Sequence, residues 1–413
     1  MKSYDIAIVG AGLVGQAIAA ALVGGKTSSA GLVGGKASLP DLKVALIDPV
    51  EVVAPAMPEK VDEYDLRVSA LTAKTQAFLN RLGAWQQLPE AVRKGYTSMH
   101  VWDADGTGSV TFNAADLHVP ALGHIVENNQ TLWALQQVTA QADNIDMVRG
   151  AVQSFDNPDA QGYVPVTLTT GEQLQARLLV GADGALSNVR QMSGIATREW
   201  DYEHRAIVAT VRTERSVADT AWQRFRPEGP LAFLPVHSDD HLASIVWSTV
   251  PEEADALLAM DDEAFMQALT SAFEGRLGQI TEVSSRQHFP LRQRHAKRYY
   301  EAGVVVAGDA AHTIHPLAGQ GVNLGFKDAE VLAEEILRGV SKGLSPGSDA
   351  VLGRYQRRRQ ADNLATMAAM EGFKRLFGSD QPLIRLLRNE GLRLFDRALP
   401  VKQHVVMKAM GLS

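Results

Sequence analysis

Apolar positions in this chain fall in short unbroken runs and short alternating stretches, separated by glycine turns. Ile6-Ala-Ile-Val9 is a run of the kind shown by a strand buried on both faces. A glycine turn and an apolar helix follow it. Residues 6–25 carry no charged side chain, which a hydropathy window scores as a membrane span. Glycines at 10, 12 and 15, and the lack of a basic stretch ahead of the run, favour strand, turn and helix over a span or a leader. Lys43-Val-Ala-Leu-Ile-Asp48, Ala176-Arg-Leu-Leu-Val-Gly181 and Gly303-Val-Val-Val-Ala-Gly308 predict further strands. Between the last two, Ala206-Ile-Val-Ala-Thr-Val-Arg212 and Leu242-Ala-Ser-Ile-Val-Trp247 run or alternate in short pieces, as half-buried strands do. From Val351 the pattern turns helical.

Composition narrows this picture modestly. With 413 residues, 46% of them hydrophobic, the chain can bury a large core spread over about two to three domains' worth of length. A formal net charge of −7 argues against general nucleic-acid binding, which needs a basic footprint. Cysteine is absent, so disulfides, thiolate metal sites and redox Cys pairs are excluded. That absence fits a reducing, cytoplasmic setting.

The first candidate chemistry is Gly10-Ala-Gly12-Leu13-Val14-Gly15, a G-x-G-x-x-G run directly after a strand. Its first glycine permits the sharp turn, the second lets a pyrophosphate approach the backbone, and the third lets helix and strand pack closely. The helix N-terminus then points N–H groups and its positive dipole end at the phosphates. Taken alone, the run is also what any tight glycine turn looks like. A dinucleotide needs an acid at the end of the second strand, and Asp48 stands there. The spacing is longer than usual because Leu-Val-Gly-Gly-Lys occurs at 22–26 and again at 32–36, a duplication that lengthens a surface loop. Neither copy is a P-loop, since no glycine stands at the required upstream position.

Two later motifs add to it. Gly181-Ala-Asp183-Gly184 closes a strand and precedes a short capped helix, and Gly308-Asp309-Ala-Ala-His312 is followed by His315-Pro316-Leu-Ala-Gly319-Gln320-Gly321-Val322-Asn323-Leu-Gly325. A carboxylate in such a turn can hold a polyol hydroxyl, and backbone N–H groups opening a helix can stabilise an electron-rich ring or an oxyanion.

In order and separation, the three motifs resemble those of the group A flavoprotein monooxygenases, whose model is para-hydroxybenzoate hydroxylase. More narrowly, the chain is similar to the bacterial ubiquinone-biosynthesis hydroxylases. Asp65-Leu-Arg67-Val-Ser-Ala-Leu71, Leu82-Gly-Ala-Trp85, Leu122-Gly-His-Ile-Val-Glu127-Asn128, Ala232-Phe-Leu-Pro235 and the 308–325 block carry that likeness. It extends over nearly the whole chain.

The resemblance implies an α/β fold. A three-layer, Rossmann-like FAD/NAD(P)-binding domain would be built from residues 1–70, 95–190 and 290–345. Residues 71–94 and 191–289 would form an inserted strand-rich substrate domain, and 346–413 a helical C-terminal region. It further implies non-covalent FAD, with Gly10, Gly12, Leu13, Val14 and Gly15 at the pyrophosphate and Asp48, where relatives more often carry Glu, at the adenosine ribose. Arg67 would face the flavin, Asp183 would serve both FAD and NADPH or NADH, and Gly308 and Asp309 would hold the ribitol. His315, Pro316, Gly319, Gln320, Gly321, Val322 and Asn323 would border the isoalloxazine ring and its oxygen-reacting face. The family uses no metal, and His312 and His315 precede the helix rather than share one of its faces. His312 is expected to be structural.

The family's reaction passes through a flavin C4a-hydroperoxide that hydroxylates an electron-rich phenolic ring. The implied substrate is a polyprenylated phenol or quinol of ubiquinone synthesis. Two rivals share the FAD fold: an isoprenoid-reductase-like oxidoreductase without oxygen insertion, and a non-catalytic flavin scaffold. Intact Gly319-Gln320-Gly321 and Asp183-Gly184 speak against the scaffold. The stretch 382–410 sets six basic residues against two acidic ones among interleaved leucines. It reads either as a helix packed on its own domain or as a docking surface for anionic lipid or pathway subunits, which would place the protein beside the inner membrane. An oligomer is compatible with this pattern.

Overall fold

The computed structural model describes residues 1–23, 41–93, 95–104, 108–236, 239–313, 321–377, 403 and 407. The duplicated loop, residues 314–320 and nearly all of the basic stretch 382–410 lie outside the described residues.

Five parallel strands form the centre of the first sheet, in the spatial order Val304–Val306, Gln173–Gly181, Lys2–Val9, Val44–Asp48 and Ile145–Arg149. The apolar runs of all but the edge strand Ile145–Arg149 are buried on both faces, as expected of parallel strands. Helices Leu13–Val23, Asn128–Thr139 and Gly321–Val340 cover one face with the largest core, which includes Ile18, Leu135, Phe326, Leu332 and Ile336. The meander Val152–Phe155 and Val164–Leu168 folds over the other and buries Val152, Val164, Val166 and Leu168 against Ala7, Ile47 and Leu179. Helix, sheet and meander make the three layers.

A second sheet orders its strands His312–Thr313, Gln287–Ala296, Thr197–Thr213, Leu242–Thr249, Gly229–Pro235, Thr220–Arg226, Ser98–Asp103 and Ser109–Asn113. Helices Pro251–Ala259 and Asp262–Ala272 pack on its outer face around Ile207, Phe233, Trp247 and Phe265. A small sheet of Val68–Leu71, Gly123–Glu127 and Gly95–Tyr96 joins the two bodies.

Two stretches depart from the expected segments. Strand Ser98–Asp103, expected with the nucleotide-binding segments, pairs in parallel with Thr220–Arg226 in the second sheet. Trp102 explains this, because its ring is buried against Phe273 at 5.1 Å. Helix Ala73–Leu82, expected with the substrate segments, buries Phe78, Leu79 and Leu82 in the main core, with Phe78 edge-on to Phe326 at 6.4 Å. From Asp349 to Phe377 the C-terminal region is one helix. Among the described residues, no helix is long and apolar enough to cross a membrane.

Candidate cofactor site

The first strand ends at Gly10, whose φ of +100° suits glycine alone. A Cβ there would stand 2.5 Å from the carbonyl oxygen of Ala182, so the first glycine turn packs directly on the second motif. A Cβ on Gly15 would stand 1.8 Å from the carbonyl oxygen of Gly10. Gly12 differs, since nothing among the described residues comes within 4 Å of its Cβ position. It opens at the start of helix Leu13–Val23, where a phosphate would meet free N–H groups. Asp48 closes the turn from the second strand. Its Oδ2 accepts from Ala11 N at 2.7 Å and its Oδ1 from Val50 N at 2.8 Å, leaving lone pairs for a hydroxyl donor.

In the second motif, Asp183 accepts from the Ser187 hydroxyl at 2.5 Å and from Val189 N at 3.1 Å. The Ser187 oxygen in turn caps Arg190 N. Arg190 is buried and reaches out of this motif into the third, donating to Ala310 O at 2.9 Å and Ala185 O at 3.0 Å. Burial, with the charge of Arg294 nearby, holds its pKa below the usual arginine value.

The third motif turns at Gly308, with φ of +62°. Asp309 follows it and is exposed, yet protein crowds around it enough that burial raises its carboxyl pKa, against the opposing pull of His312 and Arg67. A side chain both accessible and crowded lines a cleft. Arg67 is near enough to act on Asp309 through its charge, and its loop is firmly held. Asp65 accepts from Arg67 N at 2.9 Å and Asn129 N at 3.0 Å, while Arg67 O accepts from Asn128 N at 2.9 Å. Glu127 is buried beneath, accepting from Asp65 N at 3.2 Å, and burial pushes its pKa up to about 7. Next to this loop, Asn129 Oδ1 and Gln130 Nε2 are buried without a partner among the described residues. Open space at Gly12, an exposed acid in a cleft and orphaned polar atoms beside Arg67 together fit a bound dinucleotide.

Helix Gly321–Val340 packs its first turns on the third motif, a Cβ on Gly325 standing 3.6 Å from Gly308 Cα. Gly321 lies outside the left-handed region, and no described atom comes within 4 Å of its Cβ position. Asn323, expected at the ring, has its side chain turned to protein. Its Oδ1 accepts from Thr72 N at 3.0 Å and Thr75 Oγ1 at 2.7 Å, and its Nδ2 donates to Ala70 O at 2.8 Å. Val14 likewise packs its side chain on Gly308 and Gly325 rather than toward a ligand. His312 is buried and bonded to Asp328, at 2% and 0% exposure, in a structural rather than solvent-facing position. His315, Pro316, Gly319 and Gln320 lie outside the described residues.

The second sheet carries an apolar wall on the face away from its covering helices. Tyr202, Ala206 and Leu291 cluster on the inner face of the second sheet with Val246. Val246 also packs on the cluster that includes Val68, the residue after Arg67. The Tyr202 hydroxyl donates to Gln293 Oε1. Sequence patterns alone did not single out Asp328, Arg190 or Gln130. Asp328 had a signal: it is an acid on the apolar stripe Gly325, Ala329, Leu332 and Ile336.

The FAD binding domain family model matches residues 64–369. A 3-demethoxyubiquinol 3-hydroxylase from Escherichia coli (strain K12) is 36% identical over 409 residues, covering 99% of this chain and 98% of its own. A mitochondrial ubiquinone biosynthesis monooxygenase from Xenopus tropicalis is 35% identical, covering 98% and 92%. Among solved structures, a p-nitrophenol 4-monooxygenase from Pseudomonas putida superposes with a TM-score of 0.77 at 20% identity, over 100% of this chain and 99% of its own, which speaks for the fold.

Proposed function

The chain belongs to the FAD binding domain family and, within it, to the ubiquinone-biosynthesis hydroxylases, and from that membership we propose that it hydroxylates the aromatic ring of a polyprenylated phenol or quinol. It is an FAD-dependent monooxygenase. One atom of O2 enters the ring and the other leaves as water, with NADPH or NADH supplying two electrons. Bound FAD supplies the two-electron relay and the activation of O2, which no side chain here can perform.

The protein's part is to bind, orient and keep water out. Gly10, Gly12 and Gly15, with the backbone of Leu13 and Val14, cradle the pyrophosphate, and Asp48 takes the adenosine ribose. Asp309 holds the ribitol within electrostatic reach of Arg67. Asp183 serves both FAD and NADPH or NADH, its carboxylate braced by the Ser187 hydroxyl and Val189 N. His315, Pro316, Gly319, Gln320 and Gly321, with the backbone of Val322 and Asn323, border the ring. The wall of Tyr202, Ala206, Leu291 and Val246 orients an apolar aromatic substrate and excludes water, which would otherwise divert the activated oxygen to peroxide. A polyprenyl tail keeps such a substrate in a bilayer, so the enzyme works against a membrane surface.

The observation that carries this reading is an exposed Asp309 within electrostatic reach of Arg67, whose neighbour Val68 packs with Val246 of that wall. Its test is turnover with 18O2, NAD(P)H and a short-chain phenol. One labelled oxygen should appear per product, and Asp309→Ala should lower FAD occupancy in a folded protein. NAD(P)H oxidation indifferent to the phenol, or unlabelled product, would overturn it. In a deletion strain, the intermediate that accumulates names the ring carbon.

A further inference from the structure

Asp328 sits two turns into helix Gly321–Val340 and is fully buried. Each of its oxygens faces a different partner. Oδ2 accepts from Gly308 N at 3.0 Å and meets His312 Nε2 at 2.5 Å, so it grips both sides of Asp309. Oδ1 accepts from Arg359 Nε at 2.7 Å and Asn363 Nδ2 at 3.4 Å, both on helix Asp349–Phe377. Arg359 is fully buried as well, and its remaining nitrogens donate to Asp362 at 2.7 Å and Asn363 at 2.6 Å. Asn363 also donates to the Tyr299 hydroxyl at 3.0 Å, which meets His295 of the second sheet at 3.1 Å. Burial alone would raise the Asp328 pKa, but His312 and Arg359 outweigh it and bring it down to about 2.

A buried ion cluster is a poor source of stability, because desolvating its charges offsets most of their attraction. What it does supply is fixed geometry. We propose that Asp328 is a positioning residue through which helix Asp349–Phe377 sets the shape of the cofactor turn at Gly308–Asp309. It touches no cofactor; it acts through Gly308 and His312. Arg359, which contacts neither of those, orients the carboxylate from behind. The proposal rests on the assignment of the turn to FAD.

The test measures FAD dissociation from the full-length protein by flavin fluorescence, with unfolding of the apoprotein by denaturant alongside. Asp328→Asn should raise the FAD dissociation constant roughly tenfold, as the loss of one charge-assisted hydrogen bond predicts. Arg359→Met should raise it too and shift the visible spectrum of the bound flavin, while Arg359→Lys recovers part of the loss. The double variant Asp328→Asn/Arg359→Met removes both buried charges, so it folds without an uncompensated ion. It should bind FAD no more weakly than Asp328→Asn alone, because the two residues act as one unit. Wild-type affinity in the folded double variant, or strictly additive losses, would overturn the proposal. A wild-type protein that binds no FAD would sink the cofactor reading instead.

Discussion

Val14 occupies the space that a side chain on Gly308 would need: its Cγ2 lies 2.8 Å from the Cβ position there, and 2.7 Å from that of Gly325. The first and third glycine motifs therefore interlock, and the valine of the first is the key. Gly308→Ala should lose flavin, both from this overlap and from a left-handed φ worth roughly 1–2 kcal/mol to a non-glycine residue. Adding Val14→Ala restores the space and not the φ, so flavin content should recover in part. The flavin-to-protein absorbance ratio of the purified variants measures this. Full flavin in Gly308→Ala alone would show that the interlock is slack.

Glu127 gives a pH dependence. Its folded pKa is raised from 4.5 to about 7 by burial, so the folded state binds the proton more tightly than the unfolded one. Its contribution is greatest below 4.5 and is lost as pH rises through about 7. Glu127→Gln keeps an acceptor for Asp65 N without the titration. Urea unfolding should show the variant gaining on the wild type between about pH 5 and about pH 8. A constant difference across that range would mean Glu127 is already ionised when folded.

Asn323 ties the start of helix Gly321–Val340 to Ala70, Thr72 and Thr75. Asn323→Ala leaves the Thr72 N–H without its acceptor, a loss of about 1–3 kcal/mol. Denaturant unfolding should register that loss, and amide exchange at Thr72 should accelerate. Protection at Thr72 equal to the wild type would place the tie elsewhere.

What could be read from sequence followed locality. Lys2–Val9, Val44–Asp48 and Gln173–Gly181 announce themselves by apolar runs that end in glycine or acid, because a strand buried on both faces has no polar side to show. The cap of the helix after Gly184 lies within four residues of its partner, so Ser187 and Asp183 were legible too. Asp328 showed only as an acid on an apolar stripe and Arg190 not at all, because the partners that give them their roles, Gly308, Arg359 and Ala310, are brought near only by the folded chain. Asn323 misled for a related reason. It stands in a cofactor motif, but its side chain answers to a strand some 250 residues earlier. Ser98–Asp103 joined the second sheet, where Trp102 is buried against Phe273, a partner 171 residues away that the local pattern does not show.

The strand order of the first sheet also sets when the enzyme can come into being. Gln173–Gly181 lies between Lys2–Val9 and Val304–Val306; Val164–Leu168 pairs the first half of its second edge, but residues 179–181 stay bare there until Val304–Val306 has emerged from the ribosome. At roughly 5–20 residues per second, the first strand waits on the order of tens of seconds for the sheet to close. Contacts this distant in sequence form slowly. The cleft needs Gly12 from the start of the chain and Asp309 from its last third, so it has no existence in a fragment that stops short of Asp309. Flavin loading therefore waits on the emergence of Asp309, and a chain cut before Val304 leaves residues 179–181 as an exposed strand edge that invites aggregation.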